Sequence, residues 1–315
     1  MKSNESKLPQ EFVKTARMCG LEEALKSEGA FYIEKDKVLK ESFPEGVAAE
    51  REDVENGVKI KLLVKKGVKL DSPLFFCFGL KEEDEKQFIY PEIVLEEGAE
   101  IKIISHCTFP NARRAGHEME GKFFLGKNAK FYYEEHHYHG EESGAEVEPK
   151  LTVEAQENAV FETVFNLTKG TVGNTAIDLD VILRKNAKAN LETKVLGKTG
   201  KDKIRINDRV YMEEEGSRSL IKMRAAAKNG GEVWMQGETY ARASGCQGHV
   251  DCQEIVVGEG SSARAVPIVD VSHENARITH EASVGKVNQK ELETLMTRGL
   301  NEDEATDLII NSIMK

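Results

Sequence analysis

A turn dipeptide recurs along the middle of the chain at intervals of about 30 residues. Its earlier occurrences are Gly98-Ala99, Asn128-Ala129, Asn158-Ala159, Asn186-Ala187 and Gly216-Ser217. Later turns at Asn229-Gly230, Gly260-Ser261 and Asn275-Ala276 keep the rhythm at about full or half spacing. Glycine and asparagine suit a sharp turn because they accept positive φ angles, which β-branched residues resist. Self-similarity at a fixed period predicts a stack of similar structural units.

Short stretches in which apolar and polar residues alternate follow these turns. Ile101 and Ile103 show the pattern after one turn, and Phe131 and Tyr133 show it after the next. Alternation of this kind is typical of β-strands that bury one face. Two strands in each coil of about 30 residues predict a β-solenoid, in which each coil buries its apolar face by stacking on the next. A β-sandwich or jelly roll is the alternative, although neither has a reason to keep one turn in register.

The patterns divide the chain into three segments. Residues 1–56 form an N-terminal helical or irregular segment, in which Val13 and Ala16 belong to one or two short helices between about residues 10 and 28. Residues 57–286 form the β-helix core, and residues 287–315 form a C-terminal helical hairpin. We therefore expect a mainly β protein with short helical segments at both ends.

The C-terminal hairpin carries clear helix boundaries. Its first helix has Leu292 and Leu295 on one face and ends at Gly299, a residue suited to the left-handed position after a helix. Asn301 with Glu304 three residues later predicts a capping box at the start of the second helix. The apolar stripes of the two helices either dock onto the open end of the solenoid or bind another protein, and the sequence leaves both readings open.

Charge and cysteine content limit the classes of partner. The chain of 315 residues has a formal net charge of −11 with scattered Lys and Arg, which argues against nucleic acid or an anionic membrane as the main partner. It starts without an apolar leader and lacks a long apolar run, so we expect a cytoplasmic protein. The cysteines do not suit a disulfide framework, and they are Cys19, Cys77, Cys107, Cys246 and Cys252.

One group of possible metal ligands lies near the C-terminal end of the predicted core. The segment GCQGHVDCQEIVVG contains Cys246, His249, Asp251 and Cys252, and His280 and Glu281 follow about one coil later. Thiolate, imidazole and carboxylate together suit iron or zinc. The alternative is that Cys252 is a small buried residue and His280 a core histidine, since this cysteine spacing is not a standard zinc motif.

A second group lies in the segment YYEEHHYHGEE. Its histidines and flanking carboxylates are His136, His137, His139, Glu134, Glu135, Glu141 and Glu142. His106 and His136 occupy the same position after their turn alanines, so we expect them to point the same way on adjacent coils. Paired histidines on stacked strands bind metal in some proteins and form a polar corner in others.

The sequence gives little support for an enzyme. No GxSxG elbow and no complete phosphate-binding loop are present, and the single Trp234 offers no obvious surface for stacking sugars. A carbohydrate-active enzyme built on a β-helix with paired carboxylates remains an alternative.

Three longer segments of the chain carry a family resemblance. They are GHVDCQEIVVGEGSSARAVPIVDV, ARITHEASVGKVNQKELETLMTRGLNEDEATDLII and, further upstream, HCTFPNARRAGHEMEGKF. The first two resemble the carboxy-terminal part of the SufB/SufD family, and the third resembles the upstream part of its short archaeal-type members. The resemblance implies a right-handed parallel β-helix that acts as a scaffold, not an enzyme, on which an iron–sulfur cluster is transiently assembled. It also implies a family dimer, an ABC-type ATPase partner, SufC, bound through the C-terminal helices, and recipient proteins for the cluster.

The resemblance also suggests which residues hold the cluster. Cys252 matches a cysteine of SufB-type chains, and His280 and Glu281 match a His-Glu pair implicated near the dimer interface, with His249 close enough to assist. Ser261 departs from the pattern, because many SufB chains are expected to carry a cysteine there. A homodimer would double one ligand set across a two-fold axis. A metal-free structural β-helix subunit of the same complex is the alternative.

Overall fold

Nineteen strands account for most of the computed structural model of the protein, which describes residues 10–18, 22–27, 29–111, 113–140 and 144–314. The strands are β1 Ala30–Glu34, β2 Lys37–Ser42, β3 Val47–Val54, β4 Gly57–Val64, β5 Leu74–Gly79, β6 Lys86–Leu95, β7 Glu100–Phe109, β8 Gly116–Leu125, β9 Lys130–His139, β10 Glu146–Ala155, β11 Val160–Lys169, β12 Asn174–Leu183, β13 Lys188–Gly197, β14 Lys203–Met212, β15 Arg218–Lys228, β16 Glu232–Ala241, β17 Gln247–Val257, β18 Ser262–Val271 and β19 Arg277–Lys286. The helices are α1 Gln10–Met18, a 3-10 turn at Glu22–Lys26, α2 Gln289–Met296 and α3 Glu302–Ile313.

The strands from β4 onward confirm the predicted β-solenoid. Odd-numbered strands from β5 to β19 stack in one sheet and even-numbered strands from β4 to β18 stack in the other, so the chain passes from sheet to sheet once per strand. Strands of successive coils pair in parallel, as Phe131 of β9 does with Phe161 of β11. Sixteen strands at two per coil give eight coils.

The recurring turns adopt the predicted conformation. Asn128, Asn158 and Asn186 have φ angles of 60°, 59° and 56°, and the equivalent Gly98 and Gly216 both have 72°. Left-handed backbone costs an ordinary residue roughly 1–2 kcal/mol, which explains the restriction to glycine and asparagine. The alanine after each of these asparagines is fully buried, so the corner has space for only a methyl group.

The core is a column of side chains inside the two sheets. Ile101, Phe131, Phe161 and Ala189 occupy the same position on successive coils of one sheet. The rings of Phe131 and Phe161 lie 5.9 Å apart between centroids, within the range of favourable aromatic pairs. Each coil therefore buries its apolar face against its neighbours, as a solenoid requires.

The N-terminal end of the solenoid is closed by strands that the sequence patterns did not indicate. Strands β1 to β3 lie within residues 1–56, which we expected to be helical or irregular. β2 pairs antiparallel with β1 at the edge of one sheet, and β3 pairs antiparallel with β4 at the edge of the other. Helix α1 and the 3-10 turn pack Ala16 and Leu25 against the outer face of β1, β5 and β7.

The C-terminal hairpin forms as predicted but does not cover the open end. Asn301 and Glu304 make the capping box, and Gly299 has a φ angle of 98°. Helices α2 and α3 pack on the flank of the solenoid, where they contact Leu196 of β13, Ala226 of β15 and Ile255 of β17. Of the two alternatives for the hairpin, docking onto the open end of the solenoid is therefore wrong. The helices pack instead against apolar side chains on the flank of these strands.

The last coil is left without a neighbour on its outer side. β18 pairs only with β16, and β19 pairs only with β17, among the strands that the structure describes. Val271 and Val284, whose register partners in the preceding coil are buried, are 46% and 50% exposed. The inner face of the solenoid is thus open at its C-terminal end.

No helix within the described part of the chain has the length and apolar character needed to cross a membrane.

Candidate functional site

The predicted ligands of the C-terminal group are divided between two faces of the same sheet. Cys252 of β17 lies opposite Ala282 of β19, and His249 lies opposite Thr279. Side chains alternate between faces along a strand, so residues with even numbers here point into the solenoid and those with odd numbers point outward. Cys252 is 1% exposed within the apolar core, whereas His249 lies on the outer face and its Nδ1 is 2.8 Å from Thr279 Oγ1.

The His-Glu pair is divided in the same way. His280 lies opposite the buried Val250 and therefore belongs to the inner face, diagonally next to Cys252. Because β19 is the last strand, His280 is nonetheless exposed at the open end. Glu281 lies opposite Asp251 on the outer face. The structure therefore brings Cys252 and His280 to one side, and His249 and Glu281 to the other.

Asp251 and Arg224 occupy the outer face beside His249. Arg224 Nη1 donates to Asp251 Oδ1 at 3.1 Å, and this bond and charge lower the pKa of the Asp251 carboxyl. A carboxylate engaged by arginine in this way is a structural ion pair, so Asp251 is a poor candidate for a metal ligand.

The Cys252 thiol is protected in this state of the protein. Burial, followed by the nearby carboxyl of Glu254, raises its pKa to about 12. The thiol is therefore protonated at neutral pH, and a buried protonated thiol is a weak nucleophile and a weak metal ligand. Cys252 needs either a metal ion or an opening of the last coil to act as a thiolate.

Glu254 completes this region and was not recognised from the sequence. It lies two residues after Cys252 on the same inner face, opposite Ala225 and Val284. Neither carboxyl oxygen has a hydrogen-bond partner among the described residues, although the side chain is 1% exposed. Burial raises its pKa to about 7. An unpaired buried carboxylate is costly, so burial favours the neutral, protonated form of Glu254.

The remaining residues of the predicted region have structural roles. Cys246 lies in a corner, with its sulfur 3.3 Å from Ser217 Oγ. Ser261 donates to the carbonyl of Val257 at 2.7 Å and accepts from the amide of Gly230 at 2.9 Å. The hydroxyl of Ser261 therefore fastens a turn to the preceding coil. Cys19, Glu141 and Glu142 lie outside the described residues.

The second predicted group forms a buried cluster, but with members that the sequence did not combine. Possible ligand atoms of Cys107, Glu135 and His137 lie within 4.8 Å of one another. Within the described residues, these three side chains form the group of His, Cys, Asp or Glu that is close enough to hold one metal ion. His137 Nε2 lies 2.6 Å from Glu135 Oε1, and Cys107 Sγ lies 3.9 Å from the same oxygen. The predicted pair His106 and His136 does occupy adjacent coils. His136 contacts Glu134 at 2.7 Å instead of joining the cluster.

Burial also acts on two histidines beside this cluster. It lowers the pKa of His117 to about 3 and the pKa of His139 well below its usual range, so both imidazoles are neutral at physiological pH. Burial also raises the pKa of the Cys107 thiol well above its ordinary value. The one-coil spacing between Cys107 and His137 is visible in the sequence and was the signal that could have joined them.

Comparison with known proteins identifies a family. The family model described as SUF system FeS cluster assembly, SufBD core domain, matches residues 78–313. An iron–sulfur cluster assembly SufBD family protein of Methanocaldococcus jannaschii is 37% identical over 282 residues, covering 90% of this chain and 89% of that protein. A SufBD family protein of Pyrococcus horikoshii is 32% identical over 285 residues, covering 90% of this chain and 86% of that protein. The chain therefore belongs to the SufBD family of iron–sulfur cluster assembly proteins.

Proposed function

We propose that the protein is a cytoplasmic, non-catalytic scaffold on which an iron–sulfur cluster is built and from which it is passed to recipient proteins. The observation that carries the proposal is the unpaired buried carboxyl of Glu254 beside the Cys252 thiol at the open end of the solenoid. His280 lies on the same inner face and is exposed. One thiolate with oxygen and nitrogen ligands binds a cluster less tightly than four thiolates, which favours release.

A second SufBD chain, either another copy or a related subunit, would cover the open end. Three valines of the last coil support this arrangement, because each has a buried register partner in the coil below but is itself exposed; they are Val269, Val271 and Val284. Apolar side chains at a bare sheet edge favour association with another protein. Two chains meeting there would each contribute a cysteine and a histidine to one cluster.

The C-terminal helices offer a route by which an ATPase of the SufC type would act on this site. Val287 and Asn288 alone separate β19 from α2, so force on the helices reaches the strand that covers Cys252. The outer side of the hairpin carries Leu308 and Met296, which are 49% and 41% exposed. We propose that the ATPase binds this side and moves β19, which uncovers the Cys252 thiol when the cluster is built or released.

Anaerobic reconstitution with iron and sulfide tests the cluster site. We expect visible absorption and bound iron in the native protein, and loss of both in Cys252→Ser, with weaker binding in Glu254→Gln and His280→Ala. His249→Gln and Glu281→Gln are matched controls on the outer face of the same strands. Full retention of iron and sulfide in Cys252→Ser would remove Cys252 from the ligand set, and loss only in the controls would place the cluster outside the solenoid.

Co-expression with a SufC-type ATPase tests the docking surface. Leu308→Glu places a charge on the exposed side of α3 without removing the buried contacts of Ile309 and Ile310, so the hairpin should remain folded. We expect this variant to lose co-purification of the ATPase, whereas Asp303→Asn should keep it. ATP should also increase alkylation of Cys252 in the native complex. Unchanged co-purification with Leu308→Glu would refute this surface.

The metal-free structural subunit remains the second candidate. It predicts that the native chain takes up no iron and sulfide when reconstituted alone or with the ATPase, while the ATPase still co-purifies.

A further inference from the structure

A cluster of five ionisable side chains fills the interior of the solenoid between its second and third coils, far along the sheets from the open end. Its members are 3% exposed or less and are Cys107, His117, Glu135, His137 and His139. Cys107 lies directly opposite His137, so residues of β7, β8 and β9 meet from both sheets. The interior of a β-solenoid is normally apolar, and this amount of buried polarity requires a reason.

The hydrogen bonds of His117 fix its tautomer. Gln87 Nε2 donates to the carbonyl of Lys35 at 2.7 Å, which leaves Gln87 Oε1 as the acceptor that lies 3.0 Å from His117 Nδ1. His117 Nδ1 therefore carries the proton. The unprotonated Nε2 directs its lone pair at Cys107 Sγ, 3.9 Å away. A histidine whose far nitrogen donates to a fixed acceptor is the arrangement that orients metal-binding imidazoles.

A second chain of hydrogen bonds fixes His139 and His137. His139 Nδ1 donates to the carbonyl of Val172 at 3.2 Å, so its Nε2 is the acceptor that faces His137 Nδ1 at 3.5 Å. His137 Nδ1 is therefore protonated, and its Nε2 meets Glu135 Oε1 at 2.6 Å. Both of these atoms carry lone pairs that a cation between them would accept.

The space between these atoms is suited to a metal ion. Cys107 Sγ, Glu135 Oε1 and His137 Nε2 converge within 4.8 Å of one another. Tetrahedral zinc with its usual bond lengths needs ligand atoms separated by roughly 3.3–3.8 Å. The 3.9 Å separation of Cys107 Sγ from Glu135 Oε1 lies 0.1 Å above this range, and the 2.6 Å contact of Glu135 Oε1 with His137 Nε2 lies below it, so small side-chain shifts in opposite directions bring both distances into the range.

We propose that Cys107, Glu135 and His137 bind one divalent transition-metal ion of the zinc or iron type, with His117 as a neighbouring fourth ligand. A set of one sulfur, one oxygen and imidazole nitrogen favours these borderline ions over magnesium or calcium. This ion is a resident part of the fold and is separate from the cluster proposed at the open end. Metal binding to Cys107 displaces the proton of its thiol, because the thiolate is the ligand.

Cobalt provides a direct test because its thiolate bond gives a near-ultraviolet charge-transfer band. The full chain is produced in minimal medium with Co²⁺, so that the ion is present while the buried site forms, and is purified without added iron or sulfide. We expect one Co²⁺ per chain with a thiolate band. Cys107→Ser should lose the band, and Cys252→Ser should keep it, which separates this site from the proposed cluster site.

Glu135→Gln provides a second variant of nearly equal volume, should Cys107→Ser fail to fold. It should lose bound Co²⁺ while circular dichroism shows an unchanged β fold, and Glu134→Gln on the outer face of the same strand is its control. Adding Zn²⁺ or Fe²⁺ to the growth medium should lower the cobalt content of the native protein. A native protein without a thiolate band, or a band that survives in Cys107→Ser, would overturn the inference. Loss of the band in Cys252→Ser alone would instead place the metal at the open end.

Discussion

Asp208 is a buried carboxyl whose ionisation opposes folding, so its replacement by asparagine should stabilise the protein at high pH. It lies on β14, is 1% exposed, and faces the core between Leu179 and Gly237 of the neighbouring coils. Its Oδ2 accepts from Thr193 Oγ1 at 2.9 Å. Burial outweighs this bond and raises the pKa from 3.8 to about 7.

The size of the effect follows from the difference in pKa. Because the folded pKa lies above the unfolded one, the folded protein binds more protons between pH 4 and 7, and stability decreases as pH rises through this window. A difference of about 3 pKa units at 1.36 kcal/mol each corresponds to about 4 kcal/mol above pH 7. Asparagine keeps the shape and the acceptor for Thr193 without the charge.

Chemical denaturation of native protein and Asp208→Asn at pH 5 and pH 8 measures this difference. We expect Asp208→Asn to have a higher free energy of unfolding at pH 8, by up to about 4 kcal/mol, and most of that gain to disappear at pH 5. Other groups titrate in both proteins and cancel in the comparison. An equal effect of the substitution at the two pH values would refute the argument that ionisation of Asp208 is the cause.

Substitutions at three further positions test the construction of the solenoid by thermal and chemical unfolding. Asp202→Asn should lower the free energy of unfolding by about 2–4 kcal/mol at neutral pH, because the carboxylate accepts from the amides of Val172, Gly173 and two turn residues, and asparagine accepts fewer of these bonds. An unchanged unfolding midpoint would contradict this. Phe161→Ala should lower the free energy of unfolding by about 3–5 kcal/mol, since the ring is fully buried in the aromatic column. A decrease below about 1 kcal/mol would mean that the neighbouring side chains fill the cavity. Asn186→Ala should lower the free energy of unfolding by about 1–2 kcal/mol, and Asn186→Gly should lower it much less, because residue 186 has a φ angle of 56°. Equal effects of the two substitutions would show that the left-handed turn is not the cause.

The architecture was predictable because the same local requirement recurs in every coil. Asn128, Asn158 and Asn186 need left-handed backbone, and the sequence displays that need at one period. Strand β3 gave no such signal, since its exposed edge carries alternating charges instead of apolar residues. The parallel coils repeat, so their pattern can be recognised in the sequence. The antiparallel strands that close the N-terminal end occur once each and leave no repeated pattern.

The candidate sites were only partly predictable, because their composition depends on which face each residue occupies. The sequence showed that Cys252 and His280 are about one coil apart, but strand parity separates Glu281 from both. The same alternation places Glu254 on the inner face beside Cys252. Its carboxyl oxygens lack hydrogen-bond partners among the described residues, a property that no sequence pattern shows. Cys107 joins Glu135 and His137 only when the interior of the third coil is built.

The two ends of the solenoid are unlike, and this difference limits how the molecule assembles. At the N-terminal end, β2 and β3 run antiparallel to their neighbours, and β3 presents charged residues such as Arg51 and Glu52 to solvent. Such a rim resists the addition of another strand, whereas the rim of β18 leaves Val269 and Val271 exposed. If two chains associate through this end, as proposed above, the pairing is tail to tail and leaves no second open end, so growth stops at two chains.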